Sequence, residues 1–294
     1  MALSLNSDSF ASLKRFKKVV EKAIGREISD LKRSGLADAY EYALQSGGKR
    51  LRPILVLMIA EALGKSKNAT YAALAVEFFH TSSLILDDLP CMDNESLRRN
   101  RPVTHKVFGE ATALLASYAL VAGGYEMIYK NTIVAKEEGA ANASELCFLA
   151  LGVLSRCSGT SGATYGQYLD LNPPDNSLDT LYQIIYGKTI TLFEAAFTLG
   201  WLFGGGDLAL LGSVSRCAGH FGMAFQIADD FLDVEQDSQS NKAKNIVCFL
   251  GEKKAAELLD QELRLFEQLL KEVGLMTQAF RQLAKLLQRY AQKK

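Results

Sequence analysis

Two clusters of aspartates stand out in this chain because each follows an apolar run. They have the patterns Asp-Asp-x-x-x-x-Asp and Asp-Asp-x-x-Asp, and their members are Asp87, Asp88, Asp93, Asp229, Asp230 and Asp233. Acidic side chains are rarely buried unless they are paired or bind a metal. Mg²⁺ prefers oxygen ligands and is commonly held by a few carboxylates together with substrate phosphates. The two clusters therefore predict one shared Mg²⁺ site.

The second cluster has regular helical spacing. Each residue of an α-helix turns the chain by about 100°, so Asp229 and Asp233 share a face, and Gln226 lies on that face too. A solvated helix end is the alternative, but the apolar neighbours Ile227 and Leu232 argue against it. We therefore expect two carboxylates and one amide in a single row.

The first cluster cannot lie on one face of an unbroken helix. Asp87 and Asp93 are six positions apart, which corresponds to roughly 240° around a helix axis. Pro90 lies between them, and a proline in a helix interior ends or kinks the helix. We therefore expect Asp87 and Asp88 at a helix end, with Asp93 returning on the following loop.

Basic residues accompany the acidic clusters. Arg98 and Arg99 follow the first cluster, and Gly47–Pro53 sets two glycines beside lysine and arginine. Arginine suits phosphate oxygens because its guanidinium group bonds them bidentately. A lysine such as Lys188, within an apolar helix, is costly unless it meets an anion or reaches water. Each segment alone is more often a solvated charge. Together they predict two polyanionic ligands, one bound through Mg²⁺ and one bound directly by lysine and arginine.

Composition limits the classes of function. The 294 residues carry a formal net charge of zero, so nothing indicates nucleic-acid binding or a basic membrane surface. The five cysteines form no Cys-x-x-Cys pair, which indicates free thiols in a reducing compartment. We expect a cytoplasmic protein, since residues 1–18 lack the apolar core of a signal peptide and their serines only weakly suggest a transit peptide. Ala111–Tyr125 is too short and too mixed to span a membrane, so a buried helix is expected there.

Helix-forming residues fill the segments between the five prolines. No alternation typical of strands is present, so the prediction is an all-α, single-domain protein over residues 1–294. Turns are expected at Gly204–Gly206 and Asn172–Asp175, with a polar loop at Asp237–Lys244. Helices are predicted at 8–30, 36–46, 52–64, 69–88, 105–131, 142–158, 160–170, 178–203, 207–235 and 252–290.

These motifs together resemble the trans-isoprenyl diphosphate synthases, from about Ala43 to Lys254. Besides the segments above, the similarity includes Thr104–Glu110, and Gly166-Gln167 followed by Asp170-Leu171. The first aspartate motif is similar to that of bacterial and plastid-type short-chain enzymes. The resemblance implies an isoprenoid-synthase helical bundle around a central cavity, usually as a homodimer. It also implies a head-to-tail condensation, in which an allylic diphosphate ionises, isopentenyl diphosphate attacks the cation and a proton leaves.

The same resemblance implies roles for individual residues. Mg²⁺ and the allylic diphosphate would be held by Asp87, Asp88, Asp93, Asp229, Asp230 and Asp233. The same diphosphate would be gripped by Arg98 and Lys188. Isopentenyl diphosphate would be bound by Lys49, Arg52, His80 and Arg99. The allylic cation would be stabilised by the dipoles of Lys188, Thr189 and Gln226. The residues implied in catalysis itself are Asp87, Asp88, Lys188, Thr189, Gln226 and Asp229. No dedicated protein base is needed, since the diphosphate itself can accept the proton.

The chain departs from the family pattern after Asp233. Val234–Phe249 is shorter than the usual glycine- and lysine-rich loop and lacks its Gly-Lys and Gly-x-Asp elements. Lys242 and Lys244 are the candidates to replace that loop's lysines in substrate binding. A non-catalytic partner subunit of a prenyl synthase is therefore one alternative, although such subunits tend to lose an aspartate motif and both are intact here. Terpene cyclases and head-to-head synthases would carry different second motifs.

Product length is predicted from the helix that carries Asp87. Ser82 and Ser83 lie about one turn before Asp87 and are small, so a growing tail could pass them. Phe78 and Phe79 lie one turn further and would form a floor, since a helical turn rises about 5.4 Å, roughly one isoprene unit. The expected product is geranylgeranyl diphosphate, with farnesyl diphosphate as the alternative. A second interpretation makes both phenylalanines simple core residues.

Overall fold

The segments rich in good helix formers become helices, as the sequence predicts. The computed structural model describes residues 11–65, 67–239 and 244–291. The first seven helices are α1 (Ala11–Ser29), α2 (Gly35–Leu44), α3 (Leu51–Ala62), α4 (Thr70–Asp87), α5 (Thr104–Phe108), α6 (Glu110–Glu137) and α7 (Ala143–Ser158). The others are α8 (Ala163–Leu171), α9 (Leu178–Ile185), α10 (Thr191–Phe203), α11 (Leu211–Gln239), α12 (Ile246–Leu250), α13 (Glu252–Glu272) and α14 (Gln278–Ala291). The predicted all-α fold class is thereby confirmed.

Glycines divide two helices that the sequence analysis expects to be continuous. Gly109, with φ of 81°, separates α5 from α6 within the predicted helix 105–131. Gly274, with φ of 75°, lies between α13 and α14 within the predicted helix 252–290. Glycine adopts such positive φ values without steric cost. By contrast, α11 is longer than predicted. It continues to Gln239 and therefore includes the first residues of the expected polar loop.

A short antiparallel pair of strands corrects the expectation that strands are absent. β1 (Leu97–Arg98) pairs with β2 (Arg101–Pro102), with Leu97 opposite Pro102. The turn between them places Arg99 and Asn100 at φ values of 55° and 62°. This left-handed region is where two-residue hairpin turns hold their central residues. Two residues per strand are too few to leave an alternating pattern in the sequence, which is why it was missed.

The core is organised around α10, which is buried along its whole length. It packs against α3, α7 and α11. Phe197 of α10 lies 5.6 Å from the ring of Phe221 and 6.2 Å from the rings of Phe266 and Phe280. Each fully buried phenylalanine contributes about 1.5–3 kcal/mol of hydrophobic stabilisation. The described helices share one hydrophobic cluster, and the single domain over 1–294 stays a prediction for the whole chain.

A π-helical turn (Tyr186–Ile190) joins α9 to α10. Gly187 in this turn faces Gly166 of α8, and a Cβ on Gly187 would lie 2.6 Å from the Gly166 Cα. Only glycine allows this close approach of two backbones. Such π turns insert one extra residue into a helix and are frequent at functional sites. Here the turn carries Lys188 and Thr189, which face the interior cavity.

Candidate functional site

A cavity of about 960 Å³ opens between α3, the end of α4, the π-helical turn and α11. One wall is acidic and the other is basic. The predicted residues that line it are Lys49, Arg52, His80, Ser83, Asp87, Asp93, Arg98, Arg99, Lys188, Thr189, Gln226, Asp229 and Asp233. Lys17, Arg50 and Glu77 also line the cavity, although no sequence motif gave them a role.

The acidic wall brings both aspartate clusters to one cavity. α4 ends at Asp87, and the loop folds back so that the Asp93 amide donates to the Asp87 carbonyl at 2.9 Å. Asp229 and Asp233 face the same space from α11. Burial, together with the neighbouring Asp93 carboxylate, raises the pKa of Asp87 to about 6. Burial also raises the pKa of Asp229, against the opposing effect of Lys49. The carboxylates are thus held in an environment that favours a cation beside them.

Two of the six aspartates do not line the cavity, and their expected role as metal ligands stays a prediction. Asp88 is buried and accepts bonds from Arg98 Nε at 2.8 Å and from Nη2 at 2.6 Å. Asp230 is buried and accepts from the Ile246 amide at 2.7 Å, at the start of α12. Neither lines the cavity. Adjacent residues on a helix point about 100° apart. The second aspartate of each pair therefore points away from the cavity and bonds to neighbouring protein groups.

Gln226 and Thr189 form a fixed polar pair beside the acidic wall. The Thr189 hydroxyl donates to Gln226 Oε1 at 2.7 Å, and Gln226 Nε2 donates to Asp230 Oδ1 at 2.7 Å. Because the amide nitrogen is taken by Asp230, its oxygen must point toward Thr189. The chain Asp230–Gln226–Thr189 therefore sets the orientation of both dipoles that face the cavity.

Asp170 is a functional candidate that the sequence analysis matched to a motif but gave no role. Its carboxylate binds Lys188 Nζ at 2.6 Å and Lys244 Nζ at 2.7 Å. Despite burial, the two lysines lower the pKa of Asp170. Lys188 also lies 3.9 Å from Asp93 and reaches the cavity. Lys244 does not line the cavity, and Lys242 lies outside the described residues.

The basic wall holds cations with few anionic partners. Lys49 Nζ lies 3.5 Å from Asp229. Arg52 stacks on the Phe193 ring at 4.4 Å and lies 3.4 Å from His80 Nε2, while its Nε has no partner among the described residues. Burial lowers the pKa of Arg52 to about 10. Burial and then Arg52 hold the pKa of His80 well below its usual range, so its ring is neutral and accepts a bond. The positive charge of this wall is therefore available to bind an anion.

The oxygen donors of the cavity fit Mg²⁺. Asp87 and Asp93 face it from the first cluster, and Asp229 and Asp233 face it from α11. In the part of the chain that the structure describes, no three His, Cys, Asp or Glu side chains are already gathered as a metal cage. Mg²⁺ commonly keeps several waters and binds one or two carboxylates plus substrate phosphates. The arrangement therefore suits a metal bound jointly with a phosphorylated ligand.

Of the four expected chain-length residues, only Ser83 lines this cavity, and the role of all four in product length stays a prediction. Ser83 lines the cavity, but Ser82 is buried and shares a 2.9 Å hydrogen bond with Ser117 of α6. Phe78 and Phe79 are buried against α6 and do not line the cavity. A Cβ on Gly123 or Gly124 of α6 would strike these rings or the neighbouring Tyr40 hydroxyl. The two phenylalanines therefore fill the seam between α4 and α6 instead of closing this cavity.

A family model described as polyprenyl synthetase matches residues 33–272, which is most of the chain. The chain belongs to the polyprenyl synthetase family. Two solved structures support the same fold. A geranyltransferase from Legionella pneumophila has a TM-score of 0.81 and 27% identity, covering 96% of this chain and 97% of that one. An FPP/GFPP synthase from Zymomonas mobilis has a TM-score of 0.78 and 28% identity, covering 96% and 98%. The isoprenoid-synthase bundle predicted from the motifs is thereby confirmed.

Two curated relatives are plant proteins. The putative geranylgeranyl pyrophosphate synthase 8, chloroplastic, of Arabidopsis thaliana is 43% identical over 208 residues, covering 69% of this chain and 56% of that protein. The chloroplastic geranylgeranyl pyrophosphate synthase of Capsicum annuum is 39% identical over 224 residues, covering 75% of this chain and 59% of that protein. The matches thus span less than two thirds of these relatives' length.

The plant relatives correct the expected cytoplasmic location. Both proteins described above are chloroplastic. The expectation was wrong because free cysteines, and residues 1–18 without a signal-peptide core, fit a plastid protein as well as a cytosolic one.

The expected buried helix at Ala111–Tyr125 is also corrected. It is part of α6, and its Leu115 and Tyr118 are 60% and 82% exposed. By length and composition alone, Glu110–Glu137 and Ala143–Leu171 could each cross a membrane, and only 39% and 33% of their apolar windows are buried. Core helices of soluble proteins can meet the same criterion. Part of α6 is therefore apolar and exposed.

Proposed function

We propose that this chain catalyses the Mg²⁺-dependent head-to-tail condensation of isopentenyl diphosphate with allylic diphosphates. Its product is geranylgeranyl diphosphate, made from dimethylallyl, geranyl or farnesyl diphosphate as primer. The observation that carries the proposal is one cavity with two different anion-binding walls. A carboxylate wall accepts a diphosphate through a divalent cation, and a wall of lysine and arginine accepts a diphosphate directly.

The allylic substrate belongs at the carboxylate wall. Asp87, Asp93, Asp229 and Asp233 would hold Mg²⁺ there, and Lys188 would contact the same diphosphate. When bound, Mg²⁺ supplies charge neutralisation for the departing diphosphate. Prenyl synthases as a family generally depend on a divalent metal, in agreement with this donor set.

Isopentenyl diphosphate belongs at the basic wall. Arg52 has no carboxylate within 4 Å among the described residues, and a diphosphate would supply the missing counter-charge. Lys49, His80 and Arg99 complete this wall. The allylic cation would form between the walls, where the Thr189 and Gln226 oxygens are held in place. Preorganised dipoles of this kind stabilise developing charge at no cost of reorientation during the reaction. The released diphosphate accepts the proton.

The proposed product rests on relatives and on the shape of the cavity. The plant relatives are geranylgeranyl pyrophosphate synthases of the chloroplast, and we place this chain in the plastid as well. Ser83 narrows the cavity very little because it is small. Farnesyl diphosphate is the second candidate product, since one solved neighbour is an FPP/GFPP synthase.

A homodimer is proposed from the exposed face of α6. Leu115, Tyr118, Tyr125 and Tyr129 recur at helical spacing on that face, and all are exposed. Phe148 of α7, which packs beside α6, is 75% exposed. Soluble monomers rarely leave so large an apolar patch open. A second copy of the chain that covers this face would account for the apolar character of α6 and α7 without a membrane.

The function is tested by incubating the purified chain with labelled isopentenyl diphosphate and each allylic primer. Products are separated by chromatography after removal of the diphosphate. We expect geranylgeraniol from all three primers with Mg²⁺ and none with a chelator. Asp87→Asn and Asp229→Asn should abolish incorporation, whereas the exposed Asp179→Asn should not. Release of farnesol alone would select the second product, and no turnover with any primer would indicate a non-catalytic subunit.

A further inference from the structure

One face of the N-terminal helix α1 is directed at the basic wall of the cavity. Lys17 lines the cavity and donates from Nζ to the Gly48 carbonyl at 2.7 Å. Glu21, one helical turn later, accepts from Arg50 Nε at 2.9 Å. Both contacts go to the segment that carries Lys49. The family model begins at residue 33, so it does not include α1.

The segment that α1 contacts has an unusual backbone. Gly48 has φ of 118°, and a Cβ there would lie 2.5 Å from the Arg99 guanidinium. Arg50 is buried with φ of 52°, a left-handed value that a residue with a side chain adopts only when its surroundings enforce it. Glu77 binds Arg50 Nη1 at 2.6 Å, and Glu21 binds its Nε. These contacts fix the turn and direct its neighbour Lys49 to the cavity.

Two cations at this turn lack an anionic partner. Arg99 donates to the Gly47 carbonyl and Lys17 donates to the Gly48 carbonyl. Within the described parts of the chain, neither side chain has a carboxylate within 4 Å. Arg50, by contrast, is neutralised by two glutamates. A backbone carbonyl carries only a partial charge, so both cations remain available to an anion that enters between them.

We propose that Lys17 is a further substrate-binding residue, contacting the diphosphate of isopentenyl diphosphate, and that Glu21 acts through Arg50 as a positioning residue. The inference rests on the proposed function and extends the basic wall to α1. Lys17 exchanges its carbonyl partner for a phosphate oxygen when the substrate enters. The allylic substrate, at the opposite wall, does not contact Lys17.

The test measures KM for each substrate separately in the full chain. Lys17→Gln keeps a donor for the Gly48 carbonyl but removes the charge, and Lys17→Arg keeps the charge. A charge-assisted hydrogen bond contributes enough for a change of about tenfold or more. We expect Lys17→Gln to raise KM for isopentenyl diphosphate about tenfold with KM for the allylic substrate unchanged, and Lys17→Arg to stay within about threefold of the unaltered chain. Lys18→Gln, at the exposed neighbouring position, is the matched control.

Glu21→Gln should also raise KM for isopentenyl diphosphate, by less than Lys17→Gln, because Glu77 still holds Arg50. The proposal is overturned if Lys17→Gln leaves both KM values unchanged, or raises both equally, while the unaltered chain is active. Lys17→Met covers the case in which the glutamine variant does not fold, as judged by circular dichroism and thermal unfolding. Absence of turnover in the unaltered chain would instead contradict the proposed function.

Discussion

At the scale of single residues, Asp170 is the carboxylate that holds two lysines at the edge of the cavity. Removing its charge leaves Lys188 and Lys244 close together without their shared partner. We expect Asp170→Asn to lower kcat/KM for the allylic diphosphate about tenfold, since breaking a buried ion pair disturbs the position of the remaining charge. Steady-state kinetics checks this, with Asp179→Asn as the control. Unchanged kinetics would show that Asp170 is not required to position Lys188 and Lys244.

Neighbouring serines on α4 should respond differently to bulky replacements. Ser83 lines the cavity, so Ser83→Phe should obstruct the tail and shift the product toward farnesyl diphosphate. Ser82 lies in the seam with α6, bonded to Ser117. Ser82→Tyr should therefore overpack the core and cost about 1–3 kcal/mol of stability. Product chromatography and thermal unfolding separate the two effects. A shorter product from Ser82→Tyr without loss of stability would instead place the tail in that seam.

The His80 ring should make stability sensitive to mild acid. Burial, Arg52 and Arg99 hold its pKa well below its usual range, whereas an unfolded histidine has a pKa of about 6.5. The unfolded chain therefore binds a proton that the native state does not, and the free energy of unfolding falls as pH drops below about 6.5. Denaturant unfolding from about pH 8 to 5.5 should show a smaller loss in His80→Gln than in the unaltered chain. Equal losses would rule out His80 as the source.

At this scale, the features that depend on neighbouring residues could be predicted from the sequence. The helical spacing of the aspartates and the position of Pro90 predicted that the helix ends near Asp87 and that Asp93 returns beside it on the loop. Local patterns could not show that Asp88 would turn to Arg98, because a short hairpin places that arginine. The partners of Asp170 lie 18 and 74 positions away. Such a distance leaves no periodic signal in the sequence.

At the scale of elements, α6 has one face in the core and one face that is apolar and exposed. We expect Tyr118→Glu to dissociate the proposed homodimer, because a desolvated charge at the centre of an interface is costly. Light scattering during gel filtration checks this, with Leu36→Glu, at an exposed position near the start of α2, as the control. A monomer in both the unaltered chain and the variant would leave the face for another partner. The sequence predicted α6 itself, but exposure depends on which helices pack around it.

At the scale of the whole molecule, we expect the cavity to bind Mg²⁺ together with a diphosphate. The described residues contain no metal cage, and four carboxylates face the cavity from the end of α4, the loop after it and α11. A ligand that binds only the native state raises the unfolding temperature. We expect little increase from Mg²⁺ alone, and a much larger one from Mg²⁺ with inorganic pyrophosphate. A chelator should remove the increase. A full increase from Mg²⁺ alone would indicate a site completed by protein ligands.

The overall bundle was predictable because helix formers, few prolines and family motifs all agreed. The helix breaks at Gly109 and Gly274 were harder to predict. Glycine is tolerated within helices, so tertiary packing determines whether a helix ends at a glycine. The short hairpin also escaped prediction. These details decide which side chains reach the cavity, so the fold was easier to predict than its site.

The π-helical turn before α10 has a consequence for how this chain can change over evolutionary time. Its extra residue sets the rotation of the thirteen residues of α10 that follow, all of them buried. Loss of that one residue would turn every one of them by about 100° into neighbours of the wrong shape. A single deletion in the turn would therefore disturb the core packing of all thirteen residues at once. The packing of α10 therefore constrains the length of this segment.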